Sequence, residues 1–216
     1  VEMPLLEALG HVLAVDISAP LDLPPSANSG MDGYAVRRED IVDASEGAPR
    51  MLKVIGLVAA GQVPTQTVLP ATAVRIMTGA TIPSGADTVV PFEETDEIAR
   101  KAAGDPLEEV AIMAALPYGC NVRPAGEDVR QGQLVLDRGT VIRPAEVGVM
   151  ASLGLGSVPV VRSPVVAILA TGDELSEIGH SLEPAKIYDS NSASVAASVI
   201  ECGGIPKMLG IARDNI

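Results

Sequence analysis

Hydrophobic residues change their spacing several times along the chain. Near the start, Leu5, Leu6, Leu9, Val12 and Leu13 recur at helical intervals, which predicts a short amphipathic helix over 5–14. From Met51 to Gln133 the pattern becomes a series of short apolar runs: MLKVIGLVAAG, TVLPATAVRIMTG, ADTVVPFEE, EEVAIM and QLVLDRG. Runs this short, each ended by turn residues, predict a β-rich module. Between two of them, TDEIARKAAGDPLEE mixes charges around a Gly-Asp-Pro and is expected to be a solvated hairpin loop. RPAEVGVMASLGLG then places Pro144 at a helix start and Gly154 near its end, which predicts a helix of about ten residues.

After residue 163 the texture changes again. VVAILA (165–170) is a continuous aliphatic run, of the kind a strand buried on both faces of a parallel sheet requires. SNSASVAASVIECGG follows, with Ser190 or Asn191 able to cap a helix that Gly203 and Gly204 stop. KMLGIA (207–212) reads as a second strand, and strand, helix, strand makes a right-handed βαβ unit. A β-rich portion is therefore expected to precede the opening of an α/β domain.

Composition narrows the partners. A net charge of -13, no Trp and one Phe argue against nucleic acid, which needs a basic face and favours aromatic stacking. No apolar run reaches the about 18 residues needed to cross a bilayer, so no membrane span is expected. Cys120 and Cys202 stand alone, without metal-ligand spacing, and are expected to be free thiols of a cytoplasmic protein. The chain begins at Val1 and stops soon after an apolar stretch, from which it is expected to be a piece of a longer protein.

Ligands of parallel α/β sheets bind beyond the carboxyl ends of the strands. Thr171, Gly172, Asp173 and Glu174 follow the first strand, and Arg213 and Asp214 follow the second. The intervening helix runs antiparallel to them, so its start at Asp189, Ser190 and Asn191 belongs on the same edge, where backbone N–H groups favour a phosphate. Asp173, Glu174, Asp189 and Asp214 would then gather around an anion, an arrangement that suits a shared Mg²⁺. Taken singly, Asp189 reads equally as a helix cap and Asp214 as the start of a loop. Three glycine-flanked polar segments remain. Asp32 lies between Gly30 and Gly33 in NSGMDGYAV, Thr78 ends a strand in RIMTGATIP, and Glu127 and Asp128 follow Gly126 in RPAGEDVRQG. Each alone is a plausible turn. The glycines beside Asp32 would allow positive φ angles and a close approach by another group.

Taken together, NSGMDGYAV, RIMTGATIP, NVRPAGEDVRQG, ILATGDEL, IYDSN and IARD, in this order across nearly the whole chain, closely resemble the molybdopterin molybdenumtransferase family (MoeA type, including the E domain of gephyrin). The resemblance implies insertion of molybdate into adenylylated molybdopterin, with Mg²⁺ and release of AMP. It implies a mixed α/β fold: an N-terminal α+β portion, for linking and dimerisation, over 1–45 and 134–162. A β-rich, barrel-like module is inserted over 46–133, and a molybdopterin-binding, parallel-sheet α/β domain starts at 163–216. The family's functional positions fall on Asp32, Thr78, Asp128, Glu174 and Asp214. Glu174 and Asp214 are the expected metal ligands, with Thr171, Gly172, Asp173, Asp189, Ser190 and Asn191 against the substrate. Arg75, Arg123 and Arg130 stand beside these motifs and could attract the anion. A homodimer is implied, whose cleft combines the α/β domain of one subunit with the N-terminal domains of the other, and a molybdopterin adenylyltransferase is a possible partner. The chain ends before the family's SGG and PGNP segments, so by itself it is expected to be inactive. Two other readings stay open: a receptor scaffold of gephyrin type and a protein like the molybdopterin adenylyltransferase.

Overall fold

Alternation along the strands builds a sheet that is buried on both faces. In the computed structural model, which describes residues 1–214, five strands stand in the order Thr88–Pro91, Gly33–Val36, Thr72–Ile76, Arg50–Val58, Glu109–Ile112. All neighbours are antiparallel except Arg50–Val58 with Thr72–Ile76, which run parallel. Successive side chains point to opposite faces. Tyr34, Val36, Leu52, Val90, Val110 and Ile112 therefore pack together on one side, with Ile41 against them. Ala35, Val58, Val74, Ile76 and Val89 pack with Val68 and Ala80 on the other. Apolar runs such as GYAV and TVVP are continuous because both faces need covering.

This sheet belongs to a compact unit, Ala19–Gln133; Val1–Ser18 and Leu134–Ile216 form a second. The boundary expected at residue 46 lies inside the first unit, since Gly33–Val36 is an inner strand of the sheet. The solvated loop expected after Thr95 is instead interrupted by helix α1, Glu97–Ala103. Arg100 and Lys101 stand in its last turn, and Gly104, at φ 76°, ends it. These cations and this glycine are ordinary stop signals; the mixed charges of the segment concealed them.

In the second unit the expected helix at 5–14 does not form. Those residues make turns and then short bridges, Val12 with Val141 and Leu13 with Val160. Gly10 takes φ 83°, a helix-breaking conformation, and of the five spaced apolar residues only Leu13 is fully buried while Leu6 is 80% exposed. Leu13 is buried instead along an extended path, bridged to Val160 and with its N–H on the Thr140 carbonyl at 2.9 Å. Helix α2 does form, Pro144–Ser152, with Pro at its first turn and Glu146 accepting the Arg143 N–H at 2.9 Å. Val165–Thr171 and Ile205–Ala212 pair in parallel, joined through helix α3, Ser190–Glu201. Of Val165–Thr171 only Ile168 is buried; among the described residues the strand has this single neighbour, so the burial expected on both faces is not present. The cap of α3 is Asp189, not Ser190 or Asn191: its Oδ1 accepts the Ser192 N–H at 3.0 Å. A carboxylate at that position meets otherwise unpaired N–H groups of the first turn.

Candidate functional site

Three glycine-flanked segments far apart in sequence meet at one residue, Ser29. Its N–H donates to the Ala80 carbonyl at 2.9 Å, and its carbonyl accepts the Gly79 N–H at 2.8 Å. The strand Asn28–Ser29 also pairs antiparallel with Val122–Arg123, and the Gly30 N–H reaches the Asn121 carbonyl at 2.9 Å. Ser29 is 1% exposed, and its hydroxyl donates to the Met31 carbonyl at 2.5 Å, which turns the chain toward Asp32. Sequence reasoning passed over Ser29. Its signal was only a small polar residue at the head of the motif.

Asp32 and Thr78 are brought into direct contact. Oδ1 of Asp32 accepts the Thr78 N–H at 2.7 Å and the Thr78 hydroxyl at 2.8 Å. These two bonds, the backbone one first, hold the Asp32 carboxyl below the usual carboxylate range. The carboxylate therefore stays ionised in neutral solution, with Oδ2 turned away from these donors. Gly33 does not need a positive φ. Its requirement is proximity: a Cβ there would lie 1.9 Å from the Val90 carbonyl oxygen, whereas one on Gly30 would meet nothing closer than 3.5 Å.

Asp128 stands on the neighbouring turn. Arg123 donates through Nη2 to both its oxygens, at 2.9 and 3.0 Å, and through Nε to Glu127 at 2.6 Å. The turn is held by the Asp128 N–H on the Leu23 carbonyl and the Gly126 N–H on that of Pro24, each at 2.9 Å. Arg75 is likewise engaged inside the protein, by Glu97 at 2.8 Å. Neither arginine is therefore an unpartnered cation awaiting an anion, as their position in the sequence suggested.

The remaining candidates belong to the other unit. Thr171, Asp189, Ser190 and Asn191 line an open cleft of about 440 Å³ with Leu175, Tyr188 and the face of Val165–Thr171. Gly172 and Asp173 line a second, polar cleft of about 330 Å³ with His180, Lys186 and Arg213. Lys186 and Arg213 supply cations at the strand ends, and Lys186 Nζ donates to the Asp173 carbonyl. Gly172 is buried at φ 143°, and the Glu174 carboxylate folds over it so closely that a Cβ would lie 2.6 Å from Oε2. The hydroxyl and the backbone N–H of Ser192 hold the Asp189 carboxyl below its ordinary range. Glu174 and Asp214 are both exposed and line neither cleft. Among the described residues no three His, Cys, Asp or Glu side chains are grouped to hold a metal ion. Cys120 and Cys202 are free thiols. No helix among the described residues is long and apolar enough to cross a membrane.

The chain is thus a β-rich mixed α/β protein with acidic side chains on glycine-flanked turns in one unit and clefts beside a parallel strand pair in the other. Residues 1–154 match the MoeA N-terminal region (domain I and II), and the chain belongs to that family. It is 41% identical over 216 residues to molybdopterin molybdenumtransferase 2 of Mycobacterium tuberculosis strain H37Rv, covering 100% of this chain and 51% of that one. It is 40% identical over 210 residues to the molybdopterin molybdenumtransferase of Bacillus subtilis strain 168, covering 97% and 48%. A crystal structure of the molybdopterin biosynthesis MoeA protein from Pyrococcus horikosii superposes with a TM-score of 0.89 at 35% identity, covering 100% of this chain and 53% of that one. The chain thus spans about half the length of the curated relatives it matches.

Proposed function

We propose that this chain is the N-terminal half of an enzyme of molybdenum cofactor biosynthesis, which inserts molybdate into adenylylated molybdopterin and releases AMP. The observation that carries this reading is the meeting of NSGMDGYAV, RIMTGATIP and NVRPAGED at Ser29, with Asp32 held by Thr78. Relatives named molybdopterin molybdenumtransferase align over the whole chain, which supports it.

In this reading the unit Ala19–Gln133 is the β-rich insertion, the segments 1–18 and 134–162 on either side of it link and dimerise, and 163–216 begins the molybdopterin-binding parallel-sheet α/β domain. Thr171, Gly172, Asp173, Asp189, Ser190 and Asn191 bind the substrate. The first turn of α3 offers N–H groups to a phosphate, and Lys186 and Arg213 add positive charge to an otherwise acidic edge. Mg²⁺ takes few protein carboxylates and completes its shell from phosphate oxygens and water. Glu174 and Asp214 suit that pattern, as two exposed carboxylates after parallel strands. When bound, the ion would neutralise charge on the phosphate and molybdate oxygens. Asp32, Thr78 and Asp128 complete the cleft from the partner subunit of a homodimer: Asp32 keeps its charge at neutral pH, and the two turns exclude water. The enzyme works in the cytoplasm and takes its substrate from a molybdopterin adenylyltransferase. This chain alone lacks activity.

The test is molybdate insertion by the full-length protein, comparing the wild type with Asp32→Ala, Glu174→Gln and Asp214→Asn. Each variant is expected to fold and to lose about 10²-fold or more in rate, as removal of a charged site residue does. Full activity in all three would overturn the reading.

A further inference from the structure

We propose that Arg75 is a positioning residue: clamped by Glu97, it fixes the two strand ends from which Asp32 and Thr78 meet. The proposal rests on the reading of Asp32 as a site residue. Gly33–Val36 and Thr72–Ile76 pair with Tyr34 opposite Arg75 and Gly33 opposite Ile76. Asp32 directly precedes the first of these strands, and Thr78 follows the second by two residues. Arg75 Nη1 donates to the carbonyls of both residues in the terminal pair, Gly33 at 3.2 Å and Ile76 at 2.9 Å. One nitrogen therefore ties the two strands together immediately beside the Asp32–Thr78 bridge.

The guanidinium is held from the other side as well. Nε lies 2.8 Å from Glu97 Oε2, and Nη2 donates to Oε1 at 3.1 Å. The Tyr34 and Phe92 rings lie against it, with centroids at 5.4 and 5.7 Å. Glu97, 1% exposed, projects from α1 and takes a second cation, Lys101, at 2.5 Å. A buried carboxylate between two cations is poor evidence of a stabilising contact, because desolvation offsets the attraction. Its contribution here is direction. The planar fork sets two nitrogens against the Glu97 carboxylate, Nη2 as a hydrogen-bond donor to Oε1 and Nε as an ion-pair contact with Oε2, and leaves a third for the strand carbonyls, a division a lysine ammonium cannot reproduce.

A tie that merely anchors α1 to the sheet would leave Thr78 indifferent to Arg75. Hydrogen exchange of the full-length protein separates the two cases. With Arg75→Lys, the Thr78 amide is expected to exchange about tenfold or more faster, while the Asp87 amide, bonded to the Val36 carbonyl at the far end of the same strand, changes by less than about threefold. Unchanged Thr78 exchange with faster exchange throughout α1 would overturn the proposal. Glu97→Gln retains the side-chain shape and provides the same test if Arg75→Lys does not fold. In the insertion assay Arg75→Lys is expected to lower kcat with KM unchanged and to add nothing to the loss in Asp32→Ala; additive losses would count against positioning. An inactive wild-type protein would overturn the functional reading instead, and the exchange data would still decide the role of Arg75.

Discussion

Replacing Gly33 by alanine tests how the sheet holds the Asp32 turn. The added Cβ would lie 1.9 Å from the Val90 oxygen, 2.8 Å from the Val90 carbonyl carbon and 3.0 Å from Pro91 Cα. All three are backbone atoms, so no side chain can rotate away. Ordinary contact begins near 3.4 Å, which leaves the strands about 1.5 Å too close, a gap closed only by moving Gly33–Val36 away from Thr88–Pro91. Overpacking of this kind costs about 1–3 kcal/mol. Loss of a ladder bond between these buried strands adds about 1–3 kcal/mol. The expected total is about 2–6 kcal/mol. Gly30→Ala is the internal control: its Cβ meets nothing within 3.5 Å and its φ is not in the left-handed region, so an effect within about 1 kcal/mol is expected. The assay is native-state hydrogen exchange at the Phe92 amide, which donates to the Asp32 carbonyl at 3.2 Å across this strand pair. About 3 kcal/mol corresponds to an increase of roughly two orders of magnitude in the exchange rate. Equal exchange in Gly33→Ala and Gly30→Ala would refute the steric argument.

Thr78→Val removes one of the two donors that hold the Asp32 carboxyl low and leaves the backbone N–H. The Asp32 midpoint, followed by carbon NMR of the carboxyl, is expected to rise toward the ordinary value without reaching it. Because the folded-state pKa lies below the unfolded one, the stabilisation from these bonds is present above the unfolded pKa and is lost as pH falls through the folded one. The Asp32–Thr78 turn should therefore loosen only in acid, and in Asp32→Asn the exchange of the Thr78 amide should show no such acid transition. Asp189→Ala removes the cap of α3 and is expected to cost about 0.5–2 kcal/mol, seen as faster exchange in the first turn of that helix. Asp189→Asn should recover most of it.

Periodicity and stop signals sufficed where the local pattern and the final packing agree. Helix α2, with its proline start, and the parallel pair of Val165–Thr171 with Ile205–Ala212 around α3 were legible for that reason. The same logic misread two segments. At 5–14, helical spacing met Gly10, whose φ of 83° interrupts a helix, and Leu13 was buried along an extended path. At 97–103, surface-like charges concealed a helix whose Glu97 is buried, because the cations that make burial tolerable come from Arg75 on a distant strand and from Lys101 one turn on. The candidate carboxylates could be picked out from glycine-flanked motifs, since such spacing is a local property of the backbone. What each one touches could not: Asp32 depends on Thr78 and Asp128 on Arg123, with the first turn set by Ser29 and the second by the Leu23 and Pro24 carbonyls. Sequence determined which segments could turn, cap or cross as strands, because those preferences act over a few residues. Tertiary structure alone decided that Gly33 is needed for closeness to Val90, and that Arg75 faces an internal carboxylate. Both follow from contacts between residues far apart in the chain, set by how the strands pair in the sheet.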